Sequence, residues 1–163
     1  MSNVTAIRTE TVDQFAGISE QDIITRAMTI LEERHQPGAS MRSPNDTRNY
    51  LRLSMADLQH EQFGALFLDN RHRLIERREL FNGTVDGAAV YPREVVKAAL
   101  SVNAAAVIFY HNHPSGVSEP SQADITLTRR LKEALGRIDV RVLDYLLGSD
   151  SERTALAEGG RVE

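Results

Sequence analysis

Residues Ala104–Asp124 read AAAVIFYHNHPSGVSEPSQAD, and the changes of character along this stretch decide how the chain is built. Ala104 to Tyr110 is a continuous apolar run with β-branched and aromatic members, the pattern of a buried strand. Two histidines follow, one residue apart, and then a Pro/Gly/Ser loop. Ser121 opens a helical pattern that runs through Leu127, Leu131 and Leu135 and ends at Gly136. Side chains alternate across a strand, so His111 and His113 leave its end on the same face while Asn112 points the other way.

The rest of the chain supplies the partners such a strand needs. Upstream, Ser19 to Arg34 is expected to be helical, with Ile23, Ile24, Ala27, Met28 and Leu31 as one apolar stripe and Ser19 and Asp22 spaced as a capping pair. His35 to Ser40 breaks it. A second helix is expected from Asp46 to about Leu58. Phe63 to Leu68 (FGALFL) reads as a strand, Asp69 to His72 as a turn of open type, and Arg73 to about Phe81 as a second strand. Gly83 and Gly87 bracket a break before a short strand at Ala88 to Tyr91. Pro92 then stands at a first helical position, with Glu94 in the first turn and Val95, Val96, Ala99 and Leu100 on the apolar face of a helix reaching about Val102. Ile138 to Leu147 reads as a last strand, and Ser149 to Glu163 as a polar tail. Strands interleaved with helices imply a mixed α/β domain, a central sheet with helices on both faces.

Composition narrows the class. A chain of 163 residues is expected to form one domain with a core of its own. There is no cysteine, which excludes disulfides, thiolate metal sites and a cysteine nucleophile, and fits a cytoplasmic setting. No run approaches the roughly 20 apolar residues of a membrane span, and the first residues lack the pattern of a signal peptide. A net charge of -4 gives no overall attraction to nucleic acid.

Two histidines on one strand face and an aspartate opening the next helix form a donor set suited to catalytic zinc. Such zinc takes three protein ligands and keeps a position for water, whose pKa falls to about 7. His111, His113 and Asp124 supply the three. The water needs a base, and Glu61, at the entrance to the FGALFL strand, is the candidate. Blander readings exist for other residues. The Ser121-x-x-Asp124 spacing is also that of a helix cap. Glu94, a competing base, is explained by the helix dipole. Arg71, Arg73, Arg77 and Arg78 crowd one hairpin and read as a solvated strand surface rather than an anion site. Ser115 and Gly116 shape the loop.

The spacing His-x-His, seven residues, Ser, two residues, Asp, with an upstream Glu, resembles the JAMM motif of MPN-domain metalloproteases. LFLDNRHRLI, ELFNGTVDGAAVYPREVVKAAL, NAAAVIFYHNHPSG, EPSQAD and RVLDYLL are similar to its bacterial RadC-like branch. The likeness runs from about Asn45 to Gly148, leaving residues 1–44 as a helical lead, 45–148 as the catalytic domain and 149–163 as a tail. It implies an MPN α-β-α sandwich similar to cytidine deaminases, and one Zn2+ per chain on His111, His113 and Asp124. It implies Glu61 as general acid/base and Ser121 as a stabiliser of the oxyanion. The implied reaction is hydrolysis of a peptide or isopeptide bond in a protein or peptide substrate.

The chain also departs from that pattern. Longer RadC-like proteins carry a helix-hairpin-helix-like region ahead of this domain, and the lead here is too short to hold one. Asp144-Tyr145 stands where the family commonly has Asp-His. Among rival functions, a zinc nucleobase deaminase requires cysteine ligands that this chain lacks. A DNA-associated repair factor or phosphodiesterase could use the same metal site, although the charge does not favour DNA. A non-catalytic MPN scaffold would usually lack the metal set, which this chain retains. Oligomeric state is not written in the sequence.

Overall fold

The computed structural model describes residues 17–41, 43–83, 89–114 and 120–147. In chain order the elements are helix α1 (Glu20–Arg34), helix α2 (Pro44–Met55), strands β1 (Glu61–Leu68) and β2 (Leu74–Gly83), helix α3 (Pro92–Ser101), strand β3 (Ala106–His111), helix α4 (Gln122–Gly136) and strand β4 (Arg141–Leu147). The strands form a mixed sheet in the order β2-β1-β3-β4. β1 runs antiparallel to both β2 and β3, whereas β3 and β4 are parallel and joined through α4. The connection is the expected one, since parallel neighbours need a crossover.

Both faces of the sheet are covered. Ala65, Phe67, Val107, Phe109, Tyr145 and Leu147 pack beneath α3 and α4, with Val95, Ala99, Leu131 and Leu135. The alternate residues, Leu66, Leu68, Ile108, Tyr110 and Leu146, pack against Tyr50, Leu51 and Met55 of α2. Burial on both sides explains why β1 and β3 read as unbroken apolar runs rather than alternating ones. The result is an α-β-α sandwich, as expected. Among the described residues no helix is long and apolar enough to cross a membrane.

Local chemistry sets the element boundaries and corrects several expectations. Helix α2 begins at Pro44, earlier than Asp46, because the Ser43 hydroxyl accepts the Asp46 N–H and Pro44 occupies the first turn. It stops at Met55, short of Leu58. Strand β3 starts at Ala106 and β4 at Arg141, each later than the apolar pattern implies, because a left-handed residue precedes each. Asn103 (φ 53°) and Asp139 (φ 58°) take the position usually given to glycine. Ala104 N–H then reaches Ala99 O at 3.0 Å, and Val140 N–H reaches Leu135 O at 3.0 Å, the bonding of a Schellman motif. Gly136 is the last helical residue and not the stop.

Two apolar faces also differ from their periodicity. No residue of α1 is buried. Met28 and Leu31 pack on the second core cluster, while Ile23 and Ile24 are exposed. On α3 the buried face is Val95, Ala98 and Ala99, and Leu100 is 59% exposed. The expected strand Ala88–Tyr91 is not formed over residues 89–91, which lead as non-strand chain into the Pro92 helix start. Ala88, Ser115, Gly116, the first residues of the lead and the tail from Ser149 lie outside the described residues.

The basic hairpin is largely neutralised from within. Arg73 pairs with Asp69 at 2.7 Å and Arg78 with Glu76 at 2.6 Å. Arg77 is not on a solvated surface as its neighbours suggested. Its guanidinium donates to Tyr110 Oη, Tyr50 Oη and Ser54 Oγ and lies over both tyrosine rings. It fastens α2 to the sheet by polar and cation–π contacts together.

Candidate metal centre

The site forms where β1 begins and β3 ends. The ladder between them pairs Phe63 with His111, so Glu61, two residues earlier on β1, shares a face with Phe63 and reaches His111. Its Oε1 lies 2.5 Å from His111 Nε2. His113, two residues beyond His111, returns to the same face, and the two rings lie 4.6 Å apart between centroids.

Helix α4 brings the carboxylate. Ser121 and Asp124 form a capping box in which the Ser121 hydroxyl accepts the Asp124 N–H and both Ser121 N–H and Oγ–H donate to Asp124 Oδ2 at 2.7 Å. The carboxylate is thereby held with Oδ1 3.3 Å from His111 Nδ1 and Oδ2 3.4 Å from His113 Nε2. Burial pushes the Asp124 carboxyl up, but hydrogen bonds from the His111 side chain and from the Ser121 side chain and backbone outweigh it. The carboxyl ends well below its ordinary range and is ionised.

His111, His113 and Asp124 can each present one ligand atom within 4.8 Å of the others, a cluster compatible with a metal site. The donor chemistry fits zinc, with two imidazole nitrogens and a carboxylate oxygen. An independent observation agrees. His113 Nε2 is buried without a hydrogen-bond partner among the described residues, an arrangement costly for a polar atom unless a ligand meets it.

Tyr145 closes the far side. It is fully buried, packs on Phe63 and Phe109, and places its hydroxyl 3.4 Å from His111 Nδ1. Burial pushes its phenol well up, and the Asp124 and Glu61 carboxylates add to the effect, so it is held neutral. A neutral hydroxyl thus meets the His111 ring at the position where the resemblance leads one to expect a second imidazole. Nothing in the sequence marks this contact, because Tyr145 looks like an ordinary core aromatic on a strand.

Asn112 was expected to point away from the histidines, and it does. Its side chain crosses to β1, where Oδ1 accepts Gln62 N–H at 2.7 Å and Nδ2 donates to His60 O at 3.0 Å. Glu94, the competing base, is paired with Lys97 on the exposed surface of α3. Of the candidates, the fold brings together Glu61, His111, His113, Ser121 and Asp124.

An α-β-α domain with a buried His-His-Asp cluster and an adjoining glutamate defines a class of metal-centred domains. The chain matches the model of the RadC-like JAB domain over residues 41–161 and belongs to that family, whose fold is generally that of metal-dependent hydrolases. It is 59% identical over 140 residues to a UPF0758 protein of Marinobacter nauticus, covering 86% of this chain and 62% of that one. It is 55% identical over 141 residues to a UPF0758 protein of Vibrio cholerae, covering 86% of this chain and 89% of that one. A UPF0758 protein of Cellvibrio japonicus is also 55% identical over 140 residues, 62% of its length. The chain thus spans less than two thirds of some of these relatives and most of another.

Proposed function

We propose that this domain is a zinc-dependent hydrolase of peptide or isopeptide bonds, acting on a protein or peptide substrate in the cytoplasm. The observation that carries the reading is the buried His111, His113 and Asp124 cluster with the Glu61 carboxylate turned onto it. Zinc bound there supplies Lewis acidity, polarising a carbonyl and lowering the pKa of water to about 7.

The chain's own residues do the rest. Glu61, whose side chain is 13% exposed, accepts a proton from the attacking water and delivers it to the departing amine nitrogen. Its place at the first residue of β1 gives it a rigid backbone and an open side. Ser121 holds Asp124 through two hydrogen bonds to Oδ2. Its hydroxyl proton must turn from Asp124 to meet an oxyanion, so orientation of Asp124 is its resting task. The phenol of Tyr145 and the aromatic wall of Phe63 bound the site on the sheet side and fix the His111 ring.

Peptide chemistry is favoured over DNA by charge. The net charge is -4, and Arg73, Arg77 and Arg78 of the basic hairpin are engaged within the protein. The test is a comparison of zinc-loaded wild type with Glu61→Gln on a peptide library and on single- and double-stranded DNA. Wild type is expected to cleave peptides and Glu61→Gln to retain zinc with turnover reduced by at least about a hundredfold, the scale of a lost acid/base. Cleavage of DNA alone, or full turnover by Glu61→Gln, would sink this assignment.

A further inference from the structure

We infer that Asn112 is a positioning residue that sets the Glu61 carboxylate against the metal cluster by completing the β1–β3 ladder with its side chain. The inference rests on the reading of Glu61 as the acid/base.

The backbone pairing of β1 with β3 ends at Phe63↔His111. Beyond it, Asn112 N–H still donates to Gln62 O at 3.3 Å, but the chain then turns toward His113. An unsupported strand end would leave residues 60–62 free to fray from the sheet, and Glu61 with them. The Asn112 side chain replaces the lost pairing. Its carboxamide is a peptide group in miniature, with one acceptor and one donor. The acceptor takes Gln62 N–H at 2.7 Å, and the donor reaches His60 O at 3.0 Å.

The two anchoring points flank Glu61 on either side. A residue gripped through both neighbours has its backbone fixed in the extended form, and alternation then turns its side chain to the face opposite Asn112. That face holds His111 and His113. One residue between the two histidines thus sets the place of the glutamate fifty positions away in sequence, on the other side of the strand. Asn112 is only 4% exposed, so water does not compete for these contacts. Aspartate lacks the donor for His60 O, and leucine has neither group, so both fall short of the clamp.

The experiment compares the full chain, stripped of metal with EDTA, with its Asn112→Leu and Asn112→Ala variants by NMR and zinc titration. In both variants the Gln62 amide should exchange with solvent at least about tenfold faster, while the amides of Ala65 and Leu66 keep their protection, as expected for a local opening. The His111 ring N–H resonance, held downfield by Glu61 in wild type, should be lost or move upfield. Zinc affinity, read by competition with a chelating dye, should change less than about threefold because the ligands are untouched. Alanine serves as the second variant in case leucine prevents folding.

An unchanged Gln62 exchange rate would overturn the clamp. An unchanged His111 signal beside faster Gln62 exchange would show a staple of the fold with no hold on Glu61. A zinc affinity tenfold weaker or more would mean that Asn112 acts on the ligands, and would also overturn the inference. None of these readouts needs a substrate, so failure of the hydrolase reading, seen as full turnover by Glu61→Gln, is separately visible.

Discussion

At Gly64 the main chain of β1 passes beneath the ring of Tyr110, and an added Cβ would lie 2.2 Å from that ring. Tyr110 cannot easily retreat, because it is fully buried and its hydroxyl is held by Arg77. Gly64→Ala should therefore destabilise the protein by about 1–3 kcal/mol, the usual cost of overpacking, measured as a shift in the urea midpoint. Unchanged stability would mean that the ring moves aside freely. At this scale the sequence was informative wherever chemistry depends on near neighbours. The strand alternation put His111 and His113 on one face, and the Ser-x-x-Asp spacing put Asp124 at a helix start. The contacts of Asn112 with residues 60–62, of Tyr145 with His111 and of Arg77 with two tyrosines join positions far apart in the chain. No local pattern records such pairs, and Glu61 was found only through a motif resemblance.

Helices α1 and α4 allow a controlled comparison at the scale of the element. Each starts with a complete capping box, Ser19 with Asp22 and Ser121 with Asp124. The first box is exposed at the surface, whereas the carboxylate of the second is buried against both histidines. Ser19→Ala and Ser121→Ala should each cost about 1 kcal/mol of stability. Only Ser121→Ala should also weaken zinc binding, by about tenfold, the low end for a lost ligand-orienting hydrogen bond. Equal zinc affinity in the two variants would show that Ser121 does nothing for Asp124 beyond capping. Elements were legible in kind but less so in extent. The apolar runs gave every strand of the sheet, while their ends were misplaced where Asn103 and Asp139 adopt left-handed backbone in place of glycine. The extra strand before Pro92 was an over-reading of a short apolar run that has no neighbour to pair with among the described residues.

Across the whole molecule, the sheet order β2-β1-β3-β4 is what makes a centre out of distant residues. Placing β1 beside β3 brings the strand entrance that carries Glu61 to the strand exit that carries His111. The parallel return through α4 sets Asp124 over the same end. Each face of the sheet is sealed by two helices, so the donors are buried by the fold itself rather than by a separate lid. Such an arrangement, with a partnerless His113 Nε2 facing an ionised Asp124, is built to be completed by a cation. The central claim is tested most directly by calorimetric titration of the metal-stripped chain with zinc chloride, alongside His113→Ala. Wild type should bind one zinc per chain with its melting temperature rising on saturation, as required when a ligand binds only the folded state. His113→Ala should lose that binding. Stoichiometric zinc held by His113→Ala with wild-type affinity, or no zinc held by wild type, would contradict the account.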